Sequence, residues 1–286
     1  MIPPTSIDGT DITGATIDGT DVQEITVDGD VVFTAGPQQG TFDVRDLTLV
    51  NQIYPGTGSK QDIDLKPDGT RLYITVDKFT GGGRSFKEYE MTTAFDISTL
   101  NFLQQFDYPS SLGDVRSGTW NDDGTEWIGN ATENGGVFGF TASNPYDISS
   151  LSTQYRFDAS DLRNLNFNPD GTKMYVVNST NETVDQYNCS TPFDARTRNF
   201  DTSFSYIEFP RGLEVSNDGS KFYAVEETND EVHQYALSTQ FDIGTASLEA
   251  SFSVPLSRPQ AFVFDTFGNN AYVPDYSGDI YQFTTV

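Results

Sequence analysis

Apolar residues recur along this chain in short blocks. Lys173-Met174-Tyr175-Val176-Val177, Lys221-Phe222-Tyr223-Ala224-Val225 and Glu231-Val232-His233-Gln234-Tyr235 are typical, and each is bounded by Asp, Asn, Gly, Ser or Thr. Runs of this length, rich in aromatic and β-branched side chains and punctuated by turn residues, predict strands.

The blocks are copies of one unit. Lys66-Pro67-Asp68-Gly69-Thr70 returns as Asn121-Asp122-Asp123-Gly124-Thr125, Asn168-Pro169-Asp170-Gly171-Thr172 and Ser216-Asn217-Asp218-Gly219-Ser220, with a degenerate fifth copy at Asp265-Thr266-Phe267-Gly268-Asn269. Successive glycines are 55, 47, 48 and 49 residues apart. Four residues beyond each stands Tyr73, Ile128, Tyr175, Tyr223 or Tyr272, and a second anchor follows at Tyr89, Phe140, Tyr187, Tyr235 and Phe283. Six residues after the anchor comes an aromatic-Asp pair: Phe95-Asp96, Tyr146-Asp147, Phe193-Asp194 and Phe241-Asp242. The chain stops before a fifth pair, which sits instead at the other end as Phe42-Asp43, ahead of the strand-like Leu47-Thr48-Leu49-Val50.

Such a cyclic permutation is what a closed ring requires, because the N-terminal strand then completes the sheet begun by the C-terminal strands and removes the open edges. Residues 42–286 give 49 per unit over five units, the size of a four-stranded propeller blade. The expected fold is all-β: a five-bladed β-propeller over residues 38–286, closed by an N-terminal strand. Residues 1–37 read as a separate β-rich arm with a hairpin turning at Asp28-Gly29. Strands this few cannot bury enough to stand alone, so the arm is expected to anchor on its own propeller or on another subunit.

Charge narrows the uses of this surface. The chain carries 42 acidic and 16 basic side chains, a formal net charge of -26. It therefore repels phosphate backbones and anionic lipid, and neither nucleic acid nor membrane insertion is expected. Asp dominates the acids, and the bias resembles that of extreme halophiles, whose surfaces are screened by brine. No run of 18 apolar residues occurs, and the start Met1-Ile2-Pro3-Pro4-Thr5-Ser6 shows neither a basic nor an apolar segment, read as the absence of an export signal.

Chemistry is sparse. One His and one Cys suggest no triad, Cys-His pair or zinc cluster, and no phosphate-binding glycine loop appears, so no catalytic residue, metal or cofactor is expected. By internal alignment Cys189 reads as a small buried hydrophobe. His233 matches Lys87, Phe138, Asp185 and Tyr281, a position read as solvent-facing. One pattern remains: eight residues before the hairpin glycines lie Gln61, Arg116, Arg163, Arg211 and Gln260, where each inner strand begins. In a propeller these points encircle the channel mouth, where guanidinium forks could take a carboxylate, a sulfate or an acidic glycan, or else bridge carboxylates of the adjacent blade. The same face should carry the lengthened loop 77–84 with Lys78, Phe79 and Arg84.

The run Asn168-Pro169-Asp170-Gly171-Thr172-Lys173-Met174-Tyr175-Val176-Val177, with Val184-Asp185-Gln186-Tyr187 and Thr191-Pro192-Phe193-Asp194, resembles the propeller repeat of structural and tail-associated proteins of tailed viruses. The repeat covers about 85% of the chain. The arm is similar to N-terminal segments of virion proteins from haloarchaeal tailed viruses. These resemblances imply an oligomeric virion surface protein, a capsid turret, spike or tail component. It would be made in the host cytoplasm, joined to other virion proteins by the arm, and turned toward a host surface-layer protein or glycan. The alternatives are a cellular halophilic lectin or scaffold, and a glycan-processing five-bladed propeller. The last would use paired carboxylates, for which Asp64 and Glu214 hold equivalent inner-strand positions opposite the non-acidic Thr119, Asn166 and Val263.

Overall fold

A computed structural model describes residues 6–7, 10–11, 24–27, 30–34, 40, 42–56, 58–77, 84–132, 136–157, 162–205 and 210–285. The chain divides into Met1–Gln39 and Gly40–Val286, two residues beyond the boundary read from the sequence. In the first unit β1 (Ser6–Ile7) pairs with β2 (Thr10–Asp11), and β3 (Glu24–Val27) with β4 (Asp30–Thr34); the expected turn at Asp28-Gly29 lies outside the described residues.

The second unit is a ring of five antiparallel four-stranded blades. Strand β5 (Leu47–Ile53) precedes blade one, which comprises β6 (Lys60–Leu65), β7 (Arg71–Val76), β8 (Ser85–Met91) and β9 (Leu100–Asp107). Blade two holds β10 (Val115–Trp120), β11 (Glu126–Ala131), β12 (Gly136–Ala142) and β13 (Leu151–Phe157). Blade three holds β14 (Leu162–Phe167), β15 (Lys173–Asn178), β16 (Thr183–Cys189) and β17 (Arg198–Ser205), and blade four β18 (Pro210–Val215), β19 (Lys221–Glu226), β20 (Glu231–Leu237) and β21 (Ala246–Ser253). Blade five is β22 (Val263–Phe264), β23 (Asn270–Pro274) and β24 (Ile280–Thr285), with β5 paired to β24 as its outer strand. The ring is thus closed by a strand from the far end of the sequence.

Buried apolar side chains gather into five clusters, one at each seam between blades. Every outer strand skips one residue against the third strand at the aromatic anchor, as between Gln186 and Tyr187. Such bulges twist the exposed edge away from foreign strands.

The landmarks of the repeat are parts of one device. In the Asp-Gly hairpin the glycine occupies the left-handed region, with φ between +69° and +73° in all five copies. At Phe95, Tyr146, Phe193 and Phe241 the aromatic of the aromatic-Asp pair donates its N–H to that glycine's carbonyl, as Phe193 does to Gly171 at 2.9 Å, and in all five copies its ring lies where a Cβ would stand. The Asp then caps a single turn of 3-10 helix, Asp194 accepting from the Arg196 N–H. From the preceding blade the tyrosine of the second strand reaches across: Tyr73 donates to the Tyr146 carbonyl at 2.7 Å, Tyr175 to Phe241 at 2.9 Å, Tyr272 to Phe95 at 2.6 Å and Tyr223 to Phe42. A third-strand side chain adds a second link. Gln186 accepts from Ile243 N, Gln234 from Val44 N, Gln282 from Ile97 N and Glu88 from Ile148 N. Each link is worth about 1 kcal/mol.

The seam between blades two and three has neither, because Ile128 and Gly139 stand where the tyrosine and the glutamine would be. Tyr155 fills the space above Gly139, and the guanidiniums of Arg196 and Arg198 stack on Tyr155 and Phe157, 4.6 and 4.0 Å from the ring centres.

One expectation is corrected here. His233 is buried, 9% exposed, as are its equivalents Lys87, Phe138, Asp185 and Tyr281. Its Nε2 lies 2.9 Å from Glu231. Cys189 is a buried free thiol, pushed up to about 11 by that burial.

Candidate functional site

The inner strands start at the end of the channel that also carries the loops between second and third strands. There β6, β10 and β14 each skip one residue against the second strand, and the skipped residues are Gln61, Arg116 and Arg163. In β18 the irregularity spans Arg211 and Gly212. A bulge releases a side chain from strict in-out alternation and re-aims it. The side chains converge: Arg116, Arg163, Arg211 and Gln260 line a cavity of about 260 Å³ together with Asp77, Arg258 and Tyr276. Gln61 joins through its Oε1, which accepts from Arg116 Nη1 at 2.8 Å.

Arg258 is the member that alignment missed. Blade five has Gln260 at the aligned position and supplies its arginine two residues upstream, a shift that a fixed spacing does not find. Arg258 stacks 3.9 Å above the Tyr276 ring. The long-loop residues Lys78 and Phe79 lie outside the described residues. Arg84 is not among the lining residues; it donates to the Ser110 carbonyl at 3.0 Å.

Among the described residues carboxylates meet Arg116, Arg211 and Arg258. Arg116 lies 3.3 Å from Asp77 of blade one and 3.7 Å from Asp114. Arg211 is clamped by Glu227 of its own blade, and the other oxygen of Glu227 accepts from Arg258 at 2.7 Å. The two guanidiniums hold the Glu227 carboxyl below its ordinary range against the effect of its burial. Among the described residues, bridging of carboxylates is therefore real for Arg116, Arg211 and Arg258, and for Arg116 and Arg258 it crosses to the neighbouring blade as anticipated.

The hairpin end of the channel has the opposite chemistry. A cavity of about 420 Å³ is lined by Asp62, Asp64, Glu214, Thr119, Asn164 and Asn166, by aromatics that include Trp120, Tyr146 and Phe193, and by no Lys, Arg or His. Burial raises all three carboxyls, that of Asp64 to about 7, and Glu214 is raised further by the charges of Asp64 and Asp62. These groups also brace the ring. An inner strand has no partner on its channel side, and Asp62 accepts from Gly118 N at 3.1 Å while Asp64 accepts from Trp120 N at 2.8 Å and Leu65 N at 2.9 Å. Ser117 and Asn164 do the same for Leu165 N and Leu213 N one blade on. Asn166 donates to Glu214. Among the described residues no three His, Cys, Asp or Glu side chains are grouped closely enough to hold a metal ion, and no helix is long and apolar enough to cross a membrane.

No protein-family model matches this chain, and no curated protein is similar to it. Solved structures do share its architecture. A functionally unknown protein from Desulfotomaculum acetoxidans aligns at 18% identity over 80% of this chain and 69% of its own, with a TM-score of 0.50. The β-propeller domain of Myceliophteria thermophila Cps50 (Swd1) aligns at 10% identity over 84% of this chain and 100% of its own, with a TM-score of 0.52. At these identities the likeness is one of fold, and a propeller hosts many functions.

Proposed function

We propose that this chain is a non-enzymatic surface protein of a tailed-virus particle, anchored by its arm, whose propeller presents the arginine-lined channel mouth to an acidic host surface. The observation that carries the reading is the gathering of four of the ten arginines of a chain with net charge -26 around one cavity, on the face that also bears the loops between second and third strands. Loops on a rigid scaffold are where binding concentrates. The resemblance of the repeat to virion proteins and the acidic surface support the same reading. Mass spectrometry of purified particles should find this chain in many copies, and its absence from particles would exclude the proposal.

The second reading, a glycan-processing enzyme, is favoured by the three raised carboxyls in the 420 Å³ cavity. It predicts turnover of a glycan panel that disappears in Asp64→Asn and Glu214→Gln. Turnover unchanged in both variants, or none in the wild type, leaves the display role.

A further inference from the structure

We infer that the arginine mouth is a binding site for one oxyanion group, a carboxylate or a sulfate ester, carried on a small unit such as a single sugar ring. The inference deepens the display reading and rests on it for the surface on which that group is met.

Four independent features of the mouth point this way. First, among the described residues the cavity has walls of four guanidiniums and a neutral amide with one lining carboxylate, Asp77, while Asp114 and Glu227 hold Arg116, Arg211 and Arg258 from beside it, in a protein otherwise strongly acidic. Second, the arginines at 116, 163 and 211 are placed by interruptions of their own strands. The same interruption at Gln61 in blade one brings a neutral amide to that level, so in each of these blades the bulge frees a polar side chain from strict in-out alternation.

Third, Arg258 sits at φ +72°, away from the aromatic-glycine turns that recur in every blade. An L-residue in that region costs roughly 1–2 kcal/mol and persists where the surroundings over-determine it. Here the Arg258 N–H donates to Asp230 at 2.8 Å, its Nε donates to Glu227, and the guanidinium lies on Tyr276. The strained residue is thereby held ready at the mouth.

Fourth, the donors outnumber their acceptors. Arg211 and Arg258 together present about ten N–H groups, whereas the one carboxylate they share offers about four lone-pair sites. Glu227 aligns the two forks and leaves N–H groups for a second anion. Next to Arg116, from which its Oε1 accepts, Gln61 is 5% exposed and its buried Nε2 has no hydrogen-bond partner among the described residues.

Size and solvent set the ligand class. A cavity of about 260 Å³ is smaller than the roughly 300–1,000 Å³ that enclose drug-sized ligands, so it takes one ring or one acidic group of a longer chain. In molar salt the Debye length is about 3 Å, and only contact hydrogen bonds to a planar or tetrahedral oxyanion survive.

The test is a titration of the full chain in about 2 M KCl with glucuronate, glucose 6-sulfate and glucose, followed by saturation-transfer NMR, with thermal unfolding recorded for each variant. Glucuronate, glucose 6-sulfate or both should bind saturably, and glucose should not; the stronger of the two anions names the group. Arg163→Gln and the more exposed Arg258→Gln should each weaken binding by about tenfold, the loss of a bidentate contact worth roughly 1.4 kcal/mol. Arg71→Gln, whose side chain pairs with Glu88 and Glu90 within blade one, should leave it unchanged. Binding that glucose matches, binding unaltered in folded Arg258→Gln, or no saturable binding of either anion overturns the inference. Absence of the chain from particles would fail the display reading alone and leave this titration untouched.

Discussion

Replacing Gly171 with alanine tests the aromatic-on-glycine turn that fixes the geometry of every blade. Gly171 has φ +69°, and a Cβ there would lie 2.3 Å from Cδ2 and 2.5 Å from Cε2 of Phe193. Phe193 cannot simply retreat. Its N–H is bound to the Gly171 carbonyl, its ring packs on Phe167 at 5.4 Å, and it is itself held at φ +57°. The backbone share of the cost is about 1–2 kcal/mol for an L-residue in the left-handed region. Forcing a methyl into the ring adds about 1–3 kcal/mol of overpacking, so the total is about 2–5 kcal/mol. Gly56 provides the control, because it has φ +95° and no atom within 4 Å of its would-be Cβ. Gly56→Ala therefore carries the backbone share without the clash. Denaturant unfolding of both variants in molar KCl should show Gly171→Ala the less stable by about 1–3 kcal/mol. Equal losses would mean that the ring is not seated on the glycine and would refute the reasoning.

Three further outcomes are expected. Asp64 titrates near 7 in the fold against an ordinary 3.8, so the folded protein holds a proton that the unfolded chain gives up; its contribution is full below about pH 4, is lost as pH rises to 7 and is flat above. The full shift would be worth about 4 kcal/mol, which solvent at this half-buried side chain reduces to about 1–2 kcal/mol, and Asp64→Asn should remove that slope; wild-type and variant curves running parallel from pH 4 to 8 would contradict it. Melting temperature should rise steeply from dilute buffer to molar KCl as the charge of -26 is screened, and a flat profile would exclude a brine-adapted surface. Residues 38–286 should fold without the arm but fail to enter particles, so unfolding of the truncated chain, or its normal incorporation, would contradict the division of roles.

The ring was legible because its landmarks are local and recur: a glycine needing positive φ, a tyrosine four residues on, an aromatic-Asp pair at a fixed distance. What the spacing does not tell is that these three make one contact across a seam, Tyr175 reaching the Phe241 carbonyl of the next blade. The absence of that link at Ile128 and Gly139 was readable position by position. Its replacement by Arg196 and Arg198 on Tyr155 and Phe157 was not, since it joins outer-strand side chains with no counterpart in the repeat. At the mouth, equal spacing found Arg116, Arg163 and Arg211, because a bulge at the same point of each strand preserves the count. Arg258 escaped for the converse reason: it reaches the cavity from two residues upstream on a differently shaped segment. Tolerance of any side chain at the His233 position does not amount to exposure, since Lys87, Phe138, Asp185, Tyr281 and His233 are all buried there.

Electron cryomicroscopy of purified particles tests at once whether this propeller is a particle component and which way its mouth faces. Five-bladed densities are expected on the particle exterior, with the arginine-lined mouth facing solvent and the arm engaged with the particle. Particles without such densities, or densities with that mouth turned inward and the Asp-Gly hairpins facing out, would contradict it.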